Sequence, residues 1–137
     1  MGIALSDASR TTAGILLLTV VAIEYGGTFM LQVVRGRHAL THFQQTFFRA
    51  GHAHAGVLVI LALVAQLLVD ATTLTGVAES VARSGVPLGA ILVPGGFFFS
   101  ATGRDVTRPN RFVWLLYGGV VAVAAGVVTL GVGLLTA

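Results

Sequence analysis

Residues 43–70 read FQQTFFRAGHAHAGVLVILALVAQLLVD. From Val57 to Val69 only Gln66 breaks an apolar run. Roughly 20 such residues cross a ~30 Å hydrocarbon layer as a helix. Backbone groups in lipid must bond within their own segment, so a helix is the open-chain solution, and the alternating short strands of a barrel are absent. Yet Arg49, His52 and His54 stand in the first half of this span. The run decides the fold, and its polar head raises the question of function.

Working outward, three more segments qualify: about 12–34, 86–102 and 111–135. The reading is an all-α integral membrane protein, a four-transmembrane-helix bundle forming a single domain over residues 1–137. Composition agrees: 55% hydrophobic and 9% charged residues exclude an ordinary soluble domain. No cysteine is present, which removes disulfides and thiolate metal ligands. The sequence pI near 10.7 does not signal nucleic acid. All eight basic residues are arginines flanking apolar segments, with no soluble basic surface to dock a duplex. The N-terminal MGIALSDASR lacks a basic n-region and Glu24 interrupts the first apolar stretch, so that stretch is expected to be a retained helix rather than a leader. Met1-Gly2 with Ser6 matches an acylation pattern. The topology puts it on the wrong side, and the match is read as chance.

Arginine placement orients the bundle. Arg35, Arg37, Arg49, Arg104, Arg108 and Arg111 cluster around the first and third connections, against Arg10 and Arg83 at the other end. The expected location is the cell membrane, multi-pass, with connections 35–42 and 103–110 cytoplasmic and both termini outside, N-out and C-out. Trp114 and Tyr117 then fall at the cytoplasmic interface. Ser84 and Pro87 read as the cap and first turn of span three. Residues 71–83 read as a short surface helix or loop. Pro94-Gly95-Gly96, in mid-span, predicts a bend.

Gly89, Gly96 and Gly103 recur every seven residues, as do Gly119, Gly126 and Gly133. A seven-residue spacing keeps them on one face, and small faces let helix backbones approach closely in lipid. Spans three and four are expected to pack along these glycines.

Span two also carries a polar stripe. At 100° per residue, His38, His42, Gln45, Arg49, His52, Gly56 and Asp70 lie within about 40° of one line, with Gln66 beside it. His54 faces the opposite way. Span one has a matching face of Glu24, Thr28 and Arg35, flanked by Gln32. A turn at residues 35–39 makes the two spans an antiparallel hairpin and puts Glu24 level with residue 50. Glu24 is then expected to pair with Arg49 and His52, because a charge at mid-bilayer costs at least ~2.5 kcal/mol.

Three chemistries fit this stripe. The one expected here is a metal or haem site, with the other two as alternatives. His is the commonest metal ligand, and Glu completes many His sites. The candidate metal ligands are Glu24, His38, His42 and His52. His38 and His42 would chelate as an i, i+4 pair if helical, and His52 and Glu24 would form a deeper pair. The GHAHAG segment, residues 51–56, resembles the HxH segments near helix ends in haem–copper oxidase-like and NnrS-type membrane proteins. That resemblance implies a redox-associated role with haem or a transition metal (Cu, Fe or Zn) held at His52 and His54, beside Arg49. Spans one, three and four have no histidine, so bis-His ligation would draw on a second subunit through His54. Another chemistry is a proton path through Glu24, Thr28, Gln45 and His52, as intramembrane Glu and His serve in relays. The third is a non-enzymatic accessory subunit, in a homo-oligomer or larger membrane complex, that uses the polar network for assembly. No catalytic residue is assigned. Ser84 and Ser100 have no base nearby and no nucleophile elbow is present.

Overall fold

In a computed structural model describing residues 4–137, the chain forms four helices. They are α1 (Asp7–Val34), α2 (His42–Val69), α3 (Gly76–Ser100) and α4 (Val113–Leu135), each long and apolar enough to span a bilayer. Met1 and Gly2 of the acylation pattern lie outside the described residues.

The helix starts have local causes. Ser6 caps α1 by accepting from the Ser9 amide. Thr41 caps α2 in a capping box with Gln44, so α2 begins at His42. Residues 35–41 are therefore a connection, which turns with Gly36 at φ 69°. His38 stands in that connection, so the expected i, i+4 chelate with His42 has no helix to form on. α3 begins at Gly76, ten residues before the expected start of that span. Residues 76–83, read from sequence as surface, form its first two turns, because Glu79 and Arg83 find partners there that a hydropathy pattern does not register. Pro87 consequently sits inside α3 rather than at its first turn, and α3 runs on through Pro94 as one helix.

α2 is the central element. It packs on α1 along one side and on α3 along another, and α3 and α4 share the most extensive contact. Glycine explains that last contact. A Cβ on Gly85 would lie 2.6 Å from the Ala122 carbonyl, and one on Gly96 would lie 2.3 Å from the Leu116 nitrogen. A Cβ on Gly119 would lie 2.7 Å from Val93, and one on Gly126 3.0 Å from Gly85. The expected glycine packing of helices 3 and 4 is therefore present. Two of the six glycines act elsewhere: Gly133 packs on Leu74, and Gly103 turns the connection after α3. Gly85 joins the seam, unnoticed in the heptad series.

Two apolar clusters fill the interior. Leu16, Val59, Ala62, Ala65, Val86 and Leu130 belong to the one nearer the termini. The other is aromatic-rich, with Phe48 edge-on to Phe29 at 5.9 Å and stacked on Phe98 at 5.6 Å. The start of α1, the end of α4 and the second connection lie at one end of the bundle; the first and third connections meet at the other. Thr41 donates to the Val106 carbonyl, and buried Gln44 donates to Ala101 and Gly103 carbonyls at 3.0 Å each. α1 is the least covered helix: its buried residues are Ser9, Leu16, Met30 and Val33, and its main packing surface is α2.

Candidate functional site

Polar residues gather in two places with opposite characters. At the end holding the termini, Ser6 and Ser9 of the first cap, Asp70 at the end of α2, and Glu79 and Arg83 of α3 converge. Asp70 accepts from the Ser6 amide at 2.9 Å and from the Ser6 hydroxyl at 3.0 Å. Arg83 Nη2 bridges Asp70 at 3.0 Å and Glu79 at 2.9 Å, and Arg83 Nη1 donates to the Ser9 hydroxyl. Gln66, fully buried, donates to the Arg83 carbonyl at 2.8 Å, while its Oε1 has no hydrogen-bond partner among the described residues. The Asp70 and Arg83 side chains are only 7% and 13% exposed, so this is a closed clasp joining α1, α2 and α3. Burial alone would raise the Asp70 carboxyl. Hydrogen bonds from Ser6, Ser9 and Arg83 outweigh it and hold the pKa at about 2. Sequence reading placed Asp70 on the stripe and counted Arg83 as a flanking charge, without joining them. The i, i+4 spacing of Glu79 and Arg83 was the available signal.

The other place is the α1–α2 hairpin towards the opposite end. His52 is half-buried against α1, where Gly26 and Gly27 leave room for its ring. A Cβ on Gly26 would lie 3.4 Å from His52 Nδ1, and one on Gly27 3.6 Å from Nε2. His52 lines two grooves. One, of about 360 Å³, lies between α1 and α3 and is otherwise nearly all apolar, with Ile23, Val59 and Phe98 in its walls. The other, about 390 Å³, opens on the opposite side of the hairpin and is lined by Gly27, Met30, Leu31, Val34, Arg49 and His52.

Glu24 does not meet Arg49 or His52 in an ion pair. Among the described residues the ion pairs are Asp7–Arg10, Asp70–Arg83 and Glu79–Arg83. Glu24 and Arg49 are both exposed. The cause is the angle between the polar faces, and the register also differs from the expected one. Because α2 starts at His42, His52 stands level with Gly26 and Gly27, and Phe48 with Phe29. Glu24 is then level with about residues 53–54 rather than 50, roughly 6–8 Å along the axis from Arg49. The two residues nonetheless share a side. Leu31 lies seven residues from Glu24, hence within about 20° of it on the helix, and Leu31 lines the same groove as Arg49. The polar faces of α1 and α2 flank their contact on one outer side instead of facing each other.

His38, Thr28 and Gln45 are bonded locally. His38 Nε2 lies 3.1 Å from Gln32 Oε1, and its ring lies 5.2 Å from Phe29. Thr28 donates to the Tyr25 carbonyl and Gln45 to the Leu40 carbonyl. His42 is exposed at the first turn of α2. His54, on the opposite side of α2, lies 5.1 Å from the Phe97 ring. Its Nδ1 is 2.8 Å from the Ala50 carbonyl, which can only accept, so Nδ1 carries the proton. Among the described residues no three of His, Cys, Asp or Glu come together as a metal-binding group.

No protein-family model, curated protein or solved structure matches the chain. Fold and composition define a small polytopic membrane protein of four helices.

Proposed function

We propose that this chain is a non-enzymatic subunit of a membrane assembly, and that it associates through the outer side of the α1–α2 hairpin. The observation that carries the reading is Glu24. It stands ten residues from the helix end at Val34, roughly 15 Å into the apolar span, exposed, with no ion pair among the described residues. Lipid offers a carboxylate no partner, and intramembrane charges face a bundle interior, a water-filled cavity or another chain. The thin coverage of α1 points the same way. The arginine bias supports an orientation with the first and third connections in the cytoplasm and both termini outside.

The reading is tested by the native size of the chain extracted in a mild detergent. The expected result is a species larger than one chain, which Glu24→Leu reduces to the monomer. A wild-type chain that is monomeric both in mild detergent and in bilayers overturns it.

A metal or haem role has one observation in its favour, at His54. A ring nitrogen that donates to a backbone carbonyl leaves the other as a ligand-competent lone pair, the arrangement seen at ligated histidines. The remaining ligands would come from a neighbouring chain. A visible spectrum and elemental analysis of the assembled protein test this role, and a colourless, metal-free assembly removes it.

A further inference from the structure

The assembly surface carries its own complement. We propose that a second copy of this chain covers it, with Glu24 of each protomer accepting the Arg49 guanidinium of the other. This inference rests on the reading above and names the partner of the same surface.

Four observations support it. Glu24 and Arg49 have opposite charges, are exposed, and make no ion pair among the described residues. They share one outer side by helix geometry: Leu31, seven residues from Glu24 on the same helical face, lines a groove with Arg49. Within one chain they stand side by side and point the same way; across an interface they would point at each other. A patch holding one acid and one base is self-complementary, as a two-fold interface requires.

Depth is compatible as well. A two-fold axis along the membrane normal keeps each residue at the same depth in both copies. The roughly 6–8 Å axial offset between Glu24 and Arg49 is then spanned by the long arginine stem. The surface around Arg49 also permits close approach. Gly56, seven residues further on the same face, would meet nothing within 4 Å through a Cβ, and Ala53 is small and exposed. Small residues are what lets helices from two chains come together in lipid. Such an interface replaces two lone charges in each copy with two reciprocal ion pairs.

The chain has no cysteine, so one substitution gives a single thiol. Ala53→Cys lies on the proposed interface, and Ile91→Cys, 71% exposed on α3, lies in the groove on the opposite side of the hairpin. Each is oxidised in lipid vesicles at low protein density. The expected result is a covalent dimer from A53C and none from I91C. In the A53C background, Glu24→Arg or Arg49→Glu should cut dimer yield at least about tenfold. The double exchange, Glu24→Arg with Arg49→Glu, should restore it. If either single reversal fails to insert, Glu24→Gln and Arg49→Gln replace it, with loss of the dimer again expected.

A dimer insensitive to every charge change overturns the Glu24–Arg49 exchange. No A53C dimer, together with a native assembly that Glu24→Leu still dissolves, overturns the second copy as partner and leaves the assembly reading standing. No dimer and no native assembly overturn both.

Discussion

The clasp around Arg83 and the outer side around Glu24 are built from the same materials, an acid and an arginine on neighbouring helices, and they end in opposite states. At the clasp, Asp70 is bonded by Ser6 and Arg83, and Arg83 reaches Glu79 as well. At the outer side, Glu24 and Arg49 make no ion pair among the described residues. The difference lies in position. The clasp forms where a helix start, a helix end and a third helix converge, so capping hydroxyls and amides are at hand. Glu24 lies in mid-helix, where neighbouring amides are committed to the helix itself and only side chains from other helices can help. On the proposed reading, one site holds the fold together and the other is the surface for a neighbouring chain.

That division can be broken experimentally, and the largest effect is expected at the clasp. Arg83→Ala leaves half-buried Asp70 without its cation and should cost about 2–3 kcal/mol, as a lower unfolding midpoint in detergent would report. A change below about 0.5 kcal/mol, the range of ordinary surface substitutions, would contradict a structural role for the clasp.

Next comes the glycine seam, which holds α3 to α4 independently of any charge. Gly85→Ala puts a Cβ against the Gly126 backbone at 2.7 Å, where nothing flexible can yield. The expected loss is about 1–3 kcal/mol by the same measurement, with Gly131→Ala, whose Cβ would meet nothing within 4 Å, as control.

Acid should loosen the clasp in a defined window. The folded-state pKa of Asp70 is below its ordinary value of 3.8. Its contribution to stability is therefore complete above about pH 4 and lost as pH falls toward 2. An unfolding-midpoint series over that window should fall for the wild type, and Asp70→Asn should remove the Asp70 part of the fall.

The smallest effect on the isolated chain is expected on the outer side. Arg49→Ala should change monomer stability by less than about 0.5 kcal/mol while still abolishing association. A large stability loss there would mean that Arg49 serves its own fold after all.

Much of this architecture was legible in the sequence. Length and hydropathy located the four spans, and heptad glycines identified the α3–α4 seam, because both depend on residues close in sequence. The clasp was not, since Ser6, Asp70 and Arg83 are joined only by tertiary contact. The pairing of Glu24 was misjudged for a related reason. Periodicity tells which residues share a face, but not the angle that face makes with a neighbouring helix. Nor does it fix register: the Thr41 cap moved the start of α2 past His38 and shifted the hairpin by about one helical turn. The local destinations of Gln44, Gln45 and His54, all bonded to backbone carbonyls, lay equally beyond a pattern of faces.

The central claim is that the outer side of the hairpin lies against another copy of the chain, and the distance between the two copies tests it most directly. A nitroxide attached to A53C, measured by pulsed dipolar spectroscopy in lipid vesicles, should give one short, narrow inter-protomer distance that vanishes on Glu24→Arg and returns when Arg49→Glu is added. A signal showing no defined distance between copies in the wild-type charge background would contradict the claim.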